Sequence, residues 1–265
     1  MSNIIKNIEG EVICAIYILS VFIISIPFYK INSEYSRKVI HILLGNFYFI
    51  ALLYFTEWYF ACLGPFIFIF VNYFSVKYRY IKLMLRNPKK LRRGREKDGG
   101  EGIGGGSDYG TVYYAISLTL ITIYSWKNNK PEIGLCPFLS MAFGDGLAGV
   151  LGSSIKSHTF IIFESKKSVV GCSTMFLTCF FIYEIYFLYF EINKGIIKAF
   201  FMGIISMILE AISPNSTDNL TVPLADLILM CFLTYFSSIK QITAYFLRAN
   251  LAVKSSKSFG FVKFL

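Results

Sequence analysis

The sequence predicts an all-α protein, a polytopic transmembrane helical bundle of about seven to eight spans. Three observations predict it. Of 265 residues, 55% are hydrophobic and only 16% are charged, with a mean hydropathy of +0.57; a soluble domain carries about 25% charged residues. The few charges are biased, 26 Lys and Arg against 16 Asp and Glu. With so few charges, the +10 net charge points to a membrane protein with a positive face, not to a nucleic-acid binder. The apolar residues also fall into runs of roughly 20, the length that crosses a bilayer.

The runs follow in order. The first, 11–29, is long enough to span and lacks the short apolar stretch and small-residue cleavage site of a secretory signal. The second, 39–55, is short and carries His41 and Asn46, and the third is 57–76. The fourth, 111–126, is again short. The fifth, 133–152, holds Pro137, Gly144, Asp145, Gly146, Gly149 and Gly152. It reads as a broken, polar helix, tolerated only where protein or a water-filled cavity surrounds it. The sixth, seventh and eighth are 169–190, 196–212 and 221–239.

Alternate connections set the orientation. Loops 30–38, 77–110, 153–168 and 213–220 fall on one side and collect the larger share of Lys and Arg, so that side is expected to be cytoplasmic. Residues 1–240 are then expected to form a single transmembrane domain with a cytoplasmic loop at 77–110, and 241–265 a C-terminal tail. That loop divides into a basic run at 86–97, suited to anionic headgroups or phosphate, and a Gly-rich run at 98–110. Neither a dinucleotide-binding G-x-G-x-x-G after a strand nor a Walker A sequence occurs. Cys14, Cys62, Cys136, Cys172, Cys179 and Cys231 are scattered, with no C-x-x-C pair, which argues against zinc.

Four polar groups interrupt this apolar background, and all fall on the same predicted face. Asp145 lies between Gly144 and Gly146 in an apolar segment. A carboxylate there needs a partner, and flanking glycines let a ligand approach, so a hard cation such as Mg²⁺ suits it. Glu210 and the stretch Ser213 to Pro223, with Asp218 and Asn219, offer further carboxylate and amide groups for metal and phosphate. Arg37, Lys38 and His41 share roughly one face if a helix begins there; His41 is a candidate base, although a satisfied interfacial histidine looks the same. Lys166, Lys167 and Ser168 open the sixth run, with Gly171 allowing close approach. Carboxylates and cations gathered at one face suit a metal-bound polyanion, which is what phosphoryl and nucleotidyl transfer require.

The segments RKVIH at 37–41, GTVYYA at 110–115, GDGLAGVLG at 144–152, KSVVG at 167–171 and EAISPNSTDNLTVPL at 210–224 resemble the CTP-dependent polyprenol kinase family. That family includes phytol, dolichol and CTP-dependent diacylglycerol kinases and is related to phosphatidate cytidylyltransferase. The resemblance implies transfer of a phosphoryl group from CTP, with Mg²⁺, to the hydroxyl of a membrane lipid. The resemblance implies that Arg37, Lys38, Asp145 and Gly152 are needed for activity and that Asp218 and Asn219 complete the site. Taken with the residues' own chemistry, the catalytic candidates are Asp145, Asp218 and His41, with the proton acceptor open between His41 and an Asp, and the candidate metal ligands are Asp145, Asp218 and Glu210. Arg37, Lys38, Gly144, Gly146, Gly152, Lys156, Lys166, Lys167, Ser168 and Asn219 bind nucleotide or phosphate. The chain departs from the family at Gly149, commonly Asp, and at Ser153 and Ser154, commonly an Arg pair. Val170 stands where diacylglycerol and dolichol kinases often carry Glu; phytol kinases also lack that Glu, which leans toward an isoprenoid alcohol. The expected partners are CTP, a lipid alcohol and the bilayer, with no nucleic acid and with a homodimer left open. The expected acceptor cavity is walled by the second, fourth, fifth and eighth runs. A cytidylyltransferase is the nearest alternative, and a transport or non-catalytic membrane protein the next.

Overall fold

The computed structural model describes residues 3–85, 109–163, 165–214 and 216–235. The basic run at 86–97, nearly all of the Gly-rich run and the tail at 241–265 lie outside these residues. The architecture is all-α and polytopic. Its helices are α1 (Asn3–Ile31), α2 (Ser33–Leu44), α3 (Phe47–Tyr54), α4 (Trp58–Tyr78), α5 (Gly110–Lys127), α6 (Leu135–Leu139), α7 (Gly146–Ser154), α8 (Val169–Tyr189), α9 (Gly195–Ile212) and α10, described over Asp218–Tyr235. A short antiparallel hairpin, β1 (Thr159–Ile162) and β2 (Ser165–Ser168), joins α7 to α8.

Seven segments among the described residues are long and apolar enough to cross a membrane: α1, α2 with α3, α4, Pro131–Ser154, α8, α9 and α10. The fourth predicted run does form a helix, α5, but it is too rich in Thr, Ser and Tyr to stand among them. Burial explains it. Ser117, Thr119, Thr122 and Ser125 of α5 are all buried within the protein, so lipid does not dictate their polarity.

One run expected to be continuous is divided, and one expected to be broken is continuous. The second run is divided at Gly45 and Asn46, where a Cβ on Gly45 would come within 2.5 Å of the Ala142 Cβ. The fifth run is not broken. It passes from a 3₁₀ turn (Pro131–Gly134) through α6 and a π turn (Ser140–Asp145) into α7 with right-handed helical backbone at each junction. Pro137 sits in the first turn of α6, where its missing N–H costs little. The glycines serve packing instead. Lipid gives helices no hydrophobic reason to associate, so close approach over small residues holds them. A Cβ on Gly144 would lie 2.7 Å from the Met175 Sδ of α8, and one on Gly152 would lie 3.1 Å from the Gly171 Cα.

The core lies inside the bundle, around Tyr48, Phe138, Met141, Met175, Tyr183 and Met202. The outer belt is apolar, with Ile16, Leu19 and Ile23 of α1 and Phe181, Ile185 and Leu188 of α8 exposed. The helix ends alternate. Lys38 of α2, the hairpin, the end of α9 and the start of α10 meet at one end. At the other end Trp126 Nε1 donates to the Phe55 carbonyl (3.0 Å), and the Lys127 ammonium lies 4.4 Å from the Trp58 ring centroid.

Candidate active site

Each site side chain is placed by a local feature of its sequence. Helix α2 starts at Asn32, whose side chain accepts from the Glu34 amide at 3.0 Å. Glu34 holds Arg37 by an ion pair of 2.7 Å one turn on, which leaves Lys38 and His41 turned toward the π turn. That turn presents Asp145. Wide turns of this kind recur at functional sites, because they shift one residue out of the helical register. The Lys38 ammonium donates to both Asp145 carboxylate oxygens, at 3.0 and 2.9 Å, and to the Asp145 carbonyl at 3.1 Å. Room for Lys38 comes from Gly149, where a Cβ would lie 2.7 Å from the Lys38 Nζ. Room for α2 itself comes from Gly146, where a Cβ would meet Ile42.

The His41 Nε2 lies 3.2 Å from Asp145 Oδ2 and 3.1 Å from the Met141 carbonyl. Both neighbours accept, so Nε2 carries the proton and Nδ1 keeps its lone pair. The ring packs 4.4 Å from Tyr114, whose hydroxyl donates to the His41 carbonyl at 3.1 Å.

The hairpin supplies the second cation. Alternation along β2 leaves Lys166 exposed and turns Lys167 inward. There Lys167 pairs with Glu210 of α9 and lies 3.7 Å from Asp218 Oδ2 at the start of α10. Burial works against the Lys167 charge, yet the two carboxylates outweigh it and hold its pKa above the usual lysine value. The charge, and the attraction it carries, is therefore present below that value and lost only as pH rises through the raised one. Ser168 caps α8, accepting from the Gly171 amide at 3.1 Å and donating to the Gly152 carbonyl at 3.2 Å.

Asp145, Glu210 and Asp218 thus come together, with one carboxylate oxygen from each within 4.8 Å of the others. Three carboxylates face two lysines, which leaves one negative charge in excess. The donor set is hard oxygen, and Mg²⁺ takes such ligands at about 2.0–2.1 Å with waters and phosphate oxygens completing an octahedron. The residues present fit that ion. Of the residues singled out in the sequence, Lys38, His41, Asp145, Lys167, Glu210 and Asp218 meet here. Gly144, Gly146, Gly152 and Ser168 act as packing and capping positions around them. Lys156 and Lys166 are exposed, and among the described residues neither is ion-paired to the cluster.

An apolar cleft, partly open to its surroundings, adjoins the cluster. Arg37, His41 and Asn219 line it at residues next to or within the cluster, and Ile18, Phe47, Phe68 and Leu118 line its apolar part. Its walls are α1 to α5 and the start of α10. The first and third runs therefore contribute, and the fifth, expected to, does not: its inner face is spent on α2 and α8. Two polar residues escaped the sequence reading. Asn72 of α4 is 2% exposed and lines the cleft. Asp226 of α10 is fully buried and accepts from Ser140 (2.8 Å), Tyr183 (2.8 Å) and Ser206 (2.9 Å). In both cases the available signal was a lone polar residue in an apolar run, which is costly in a membrane.

Fold and site together define a polytopic helical protein with a carboxylate and lysine centre at one end of its bundle, open to an apolar cleft. Its relatives are prenyl-alcohol kinases. The chain is 33% identical over 123 residues to a phytol kinase of Synechocystis sp., a match covering 45% of this chain and 52% of that protein. It is 26% identical over 225 residues to a probable chloroplastic phytol kinase of Triticum aestivum, covering 77% and 69%. It is 30% identical over 124 residues to a chloroplastic farnesol kinase of Arabidopsis thaliana, covering 43% and 39%. The match thus spans about half the length of the Synechocystis protein. The resemblance to the polyprenol kinases is borne out by these relatives. No family model and no solved structure matches the chain.

Proposed function

We propose that the protein is an integral-membrane kinase that transfers the terminal phosphoryl group of CTP to the hydroxyl of a prenyl alcohol. One observation carries this reading: His41 touches the Asp145 carboxylate on one side and lines the apolar cleft on the other. Polyphosphate chemistry and a lipid chain would thereby meet at one residue. Asp145, Glu210 and Asp218 would hold Mg²⁺, which when bound neutralises phosphate charge. Lys38 and Lys167 rest on those carboxylates and are the cations within reach of phosphate oxygens. The cleft binds the acceptor's chain and excludes water from the reacting end. His41 Nδ1 takes the hydroxyl proton as the alcohol oxygen bonds to the γ-phosphorus and the nucleoside diphosphate leaves. The names of the phytol and farnesol kinases, together with Val170, favour an isoprenoid acceptor. The excess of Lys and Arg at the site end favours a cytoplasmic orientation for it.

The test is product analysis. Purified protein in lipid–detergent micelles is given γ-³²P-CTP, Mg²⁺ and phytol, farnesol, dolichol or diacylglycerol. Label in a prenyl phosphate is expected, and chase with unlabelled ATP or CTP identifies the donor. Pyrophosphate with a CDP-lipid would establish a cytidylyltransferase instead. Untouched nucleotide would remove the enzymatic reading.

A further inference from the structure

Three buried polar atoms have no hydrogen-bond partner among the described residues although their side chains line one cleft: Asn72 Oδ1, Asn219 Oδ1 and Arg37 Nε. Orphaned atoms of this kind are rare, and each carries a desolvation penalty. The orientation of Asn72 is fixed. Its Nδ2 donates to the Thr111 carbonyl at 2.9 Å, and turning the amide over would set two acceptors against each other. The two asparagines lie along one path. Thr111 follows Gly110, where a Cβ would come within 3.2 Å of the Asn219 Nδ2, and Asn219 follows Asp218 of the carboxylate cluster. Asn219 is held in turn by Ser117, whose hydroxyl donates to its carbonyl at 2.5 Å.

We infer that this end of the cleft is the seat of the acceptor's hydroxyl in the resting complex, with Arg37 Nε donating to its oxygen and Asn72 Oδ1 accepting its O–H until that proton passes to His41 Nδ1 in the transfer step. This rests on the kinase reading and gives it a substrate class: one apolar chain ending in one hydroxyl. A primary alcohol supplies both things the orphans lack, a donor for an asparagine oxygen and a lone pair for the guanidinium. Apart from His41, Thr111 and Tyr114, the rest of the wall is apolar, from Ile18 and Ile40 to Leu44, Phe47, Phe68 and Leu118. With Arg37 Nε given to the hydroxyl, the two ester carbonyls of a diacylglycerol would lie along the apolar stretch with no donor from Ile18, Leu44, Phe47, Phe68 or Leu118, and burying unpaired carbonyls is unfavourable. Asn72 thus acts as a specificity residue on α4.

The experiment needs no nucleotide. Tritiated farnesol and its methyl ether, which keeps the chain and the oxygen but lacks the O–H, are equilibrated with the full-length protein in lipid nanodiscs. Wild-type protein is expected to bind the alcohol about ten-fold more tightly than the ether, the worth of one buried hydrogen bond. Asn72→Leu is expected to bring that ratio near one. The ratio is taken within each protein, so a general loss of folded material cancels, and the wild-type arm stands even if the variant fails to fold. Equal binding of alcohol and ether by wild type, no binding of either, or an unchanged ratio in Asn72→Leu would overturn the assignment. Failure of the kinase reading is separate. Absent prenyl phosphate with an intact binding ratio sinks the kinase and leaves the seat; prenyl phosphate with a ratio of one does the reverse.

Discussion

Asp145 is gripped by Lys38 through both carboxylate oxygens and touched by His41, so its charge organises the site. Asp145→Asn keeps the shape but removes that charge. Turnover should fall by roughly a hundred-fold or more, while insertion into membranes, followed by fractionation and alkaline extraction, should be unchanged. Normal turnover in the variant would refute the site. Gly149 provides a finer probe. The atoms that a Cβ there would meet are the far end of Lys38, a flexible chain that can yield. Gly149→Ala should therefore fold with a stability change within about 1 kcal/mol, yet push the ammonium off Asp145 and lower kcat about ten-fold. A thermal melt beside the rate measurement separates the two effects. The sequence showed the carboxylates and lysines because charge in an apolar chain is conspicuous. It did not show that Gly149 makes space for Lys38, because that depends on how α2 crosses α7. Asn72 and Asp226 were missed for another reason: one polar residue in a long apolar run barely changes its mean.

At the scale of elements, the π turn at Ser140–Asp145 is held from behind by Asp226. Ser140 at its start donates to this carboxylate, and Tyr183 of α8 and Ser206 of α9 donate to it as well. One side chain of α10 thus pins three neighbouring elements beneath the residue that presents Asp145. Asp226→Leu removes the acceptor shared by three hydroxyls; Ser140 and Ser206 can fall back on the Cys136 and Met202 carbonyls at 2.9 and 2.8 Å, whereas Tyr183 loses its charged partner, so the protein should be destabilised by about 1–2 kcal/mol. It should also raise the Mg²⁺ concentration needed for half-maximal activity, since Asp145 is no longer held in register. Asp226→Asn keeps one acceptor oxygen and should recover most of both. A variant that loses stability with an unchanged Mg²⁺ dependence would mark the knot as mere packing. Run lengths and apolar content made the helices legible in sequence to within a few residues at most ends. The hairpin was not legible, because four-residue strands reading TFII and SKKS carry no alternation strong enough to separate them from a loop. Yet the hairpin is what turns Lys167 inward and Lys166 out. The π turn was misread as a break for a similar reason, since glycines and a proline mark irregular backbone but do not say whether it opens a gap or only widens a turn.

For the whole molecule the open physical question is direction. The described helices alternate, so the ends carrying Lys38, the hairpin, Glu210 and Asp218 lie together, and the turns at Asn128 and Glu191 lie at the other end. Lys30, Lys77, Arg79, Lys82, Lys156 and Lys166 crowd the site end, whereas Lys6, Lys127, Lys130, Lys194 and Lys198 mark the far one. Short loops rich in Lys and Arg resist translocation, so the site end should face the cytoplasm. That is also where a nucleotide donor would be met. Single cysteines decide it, placed in a background lacking the six native ones, which are all free thiols. Lys156, Asn129 and Glu191 are exposed positions at the two ends. On intact cells an impermeant maleimide should label Asn129→Cys and Glu191→Cys at once, and Lys156→Cys only after the membrane is opened. The mirror result would reverse the orientation and place the nucleotide site on the far side. Labelling of Lys156→Cys and Glu191→Cys from the same side would break the alternation of α8, and with it the geometry that brings Lys167 to Glu210 and Asp218.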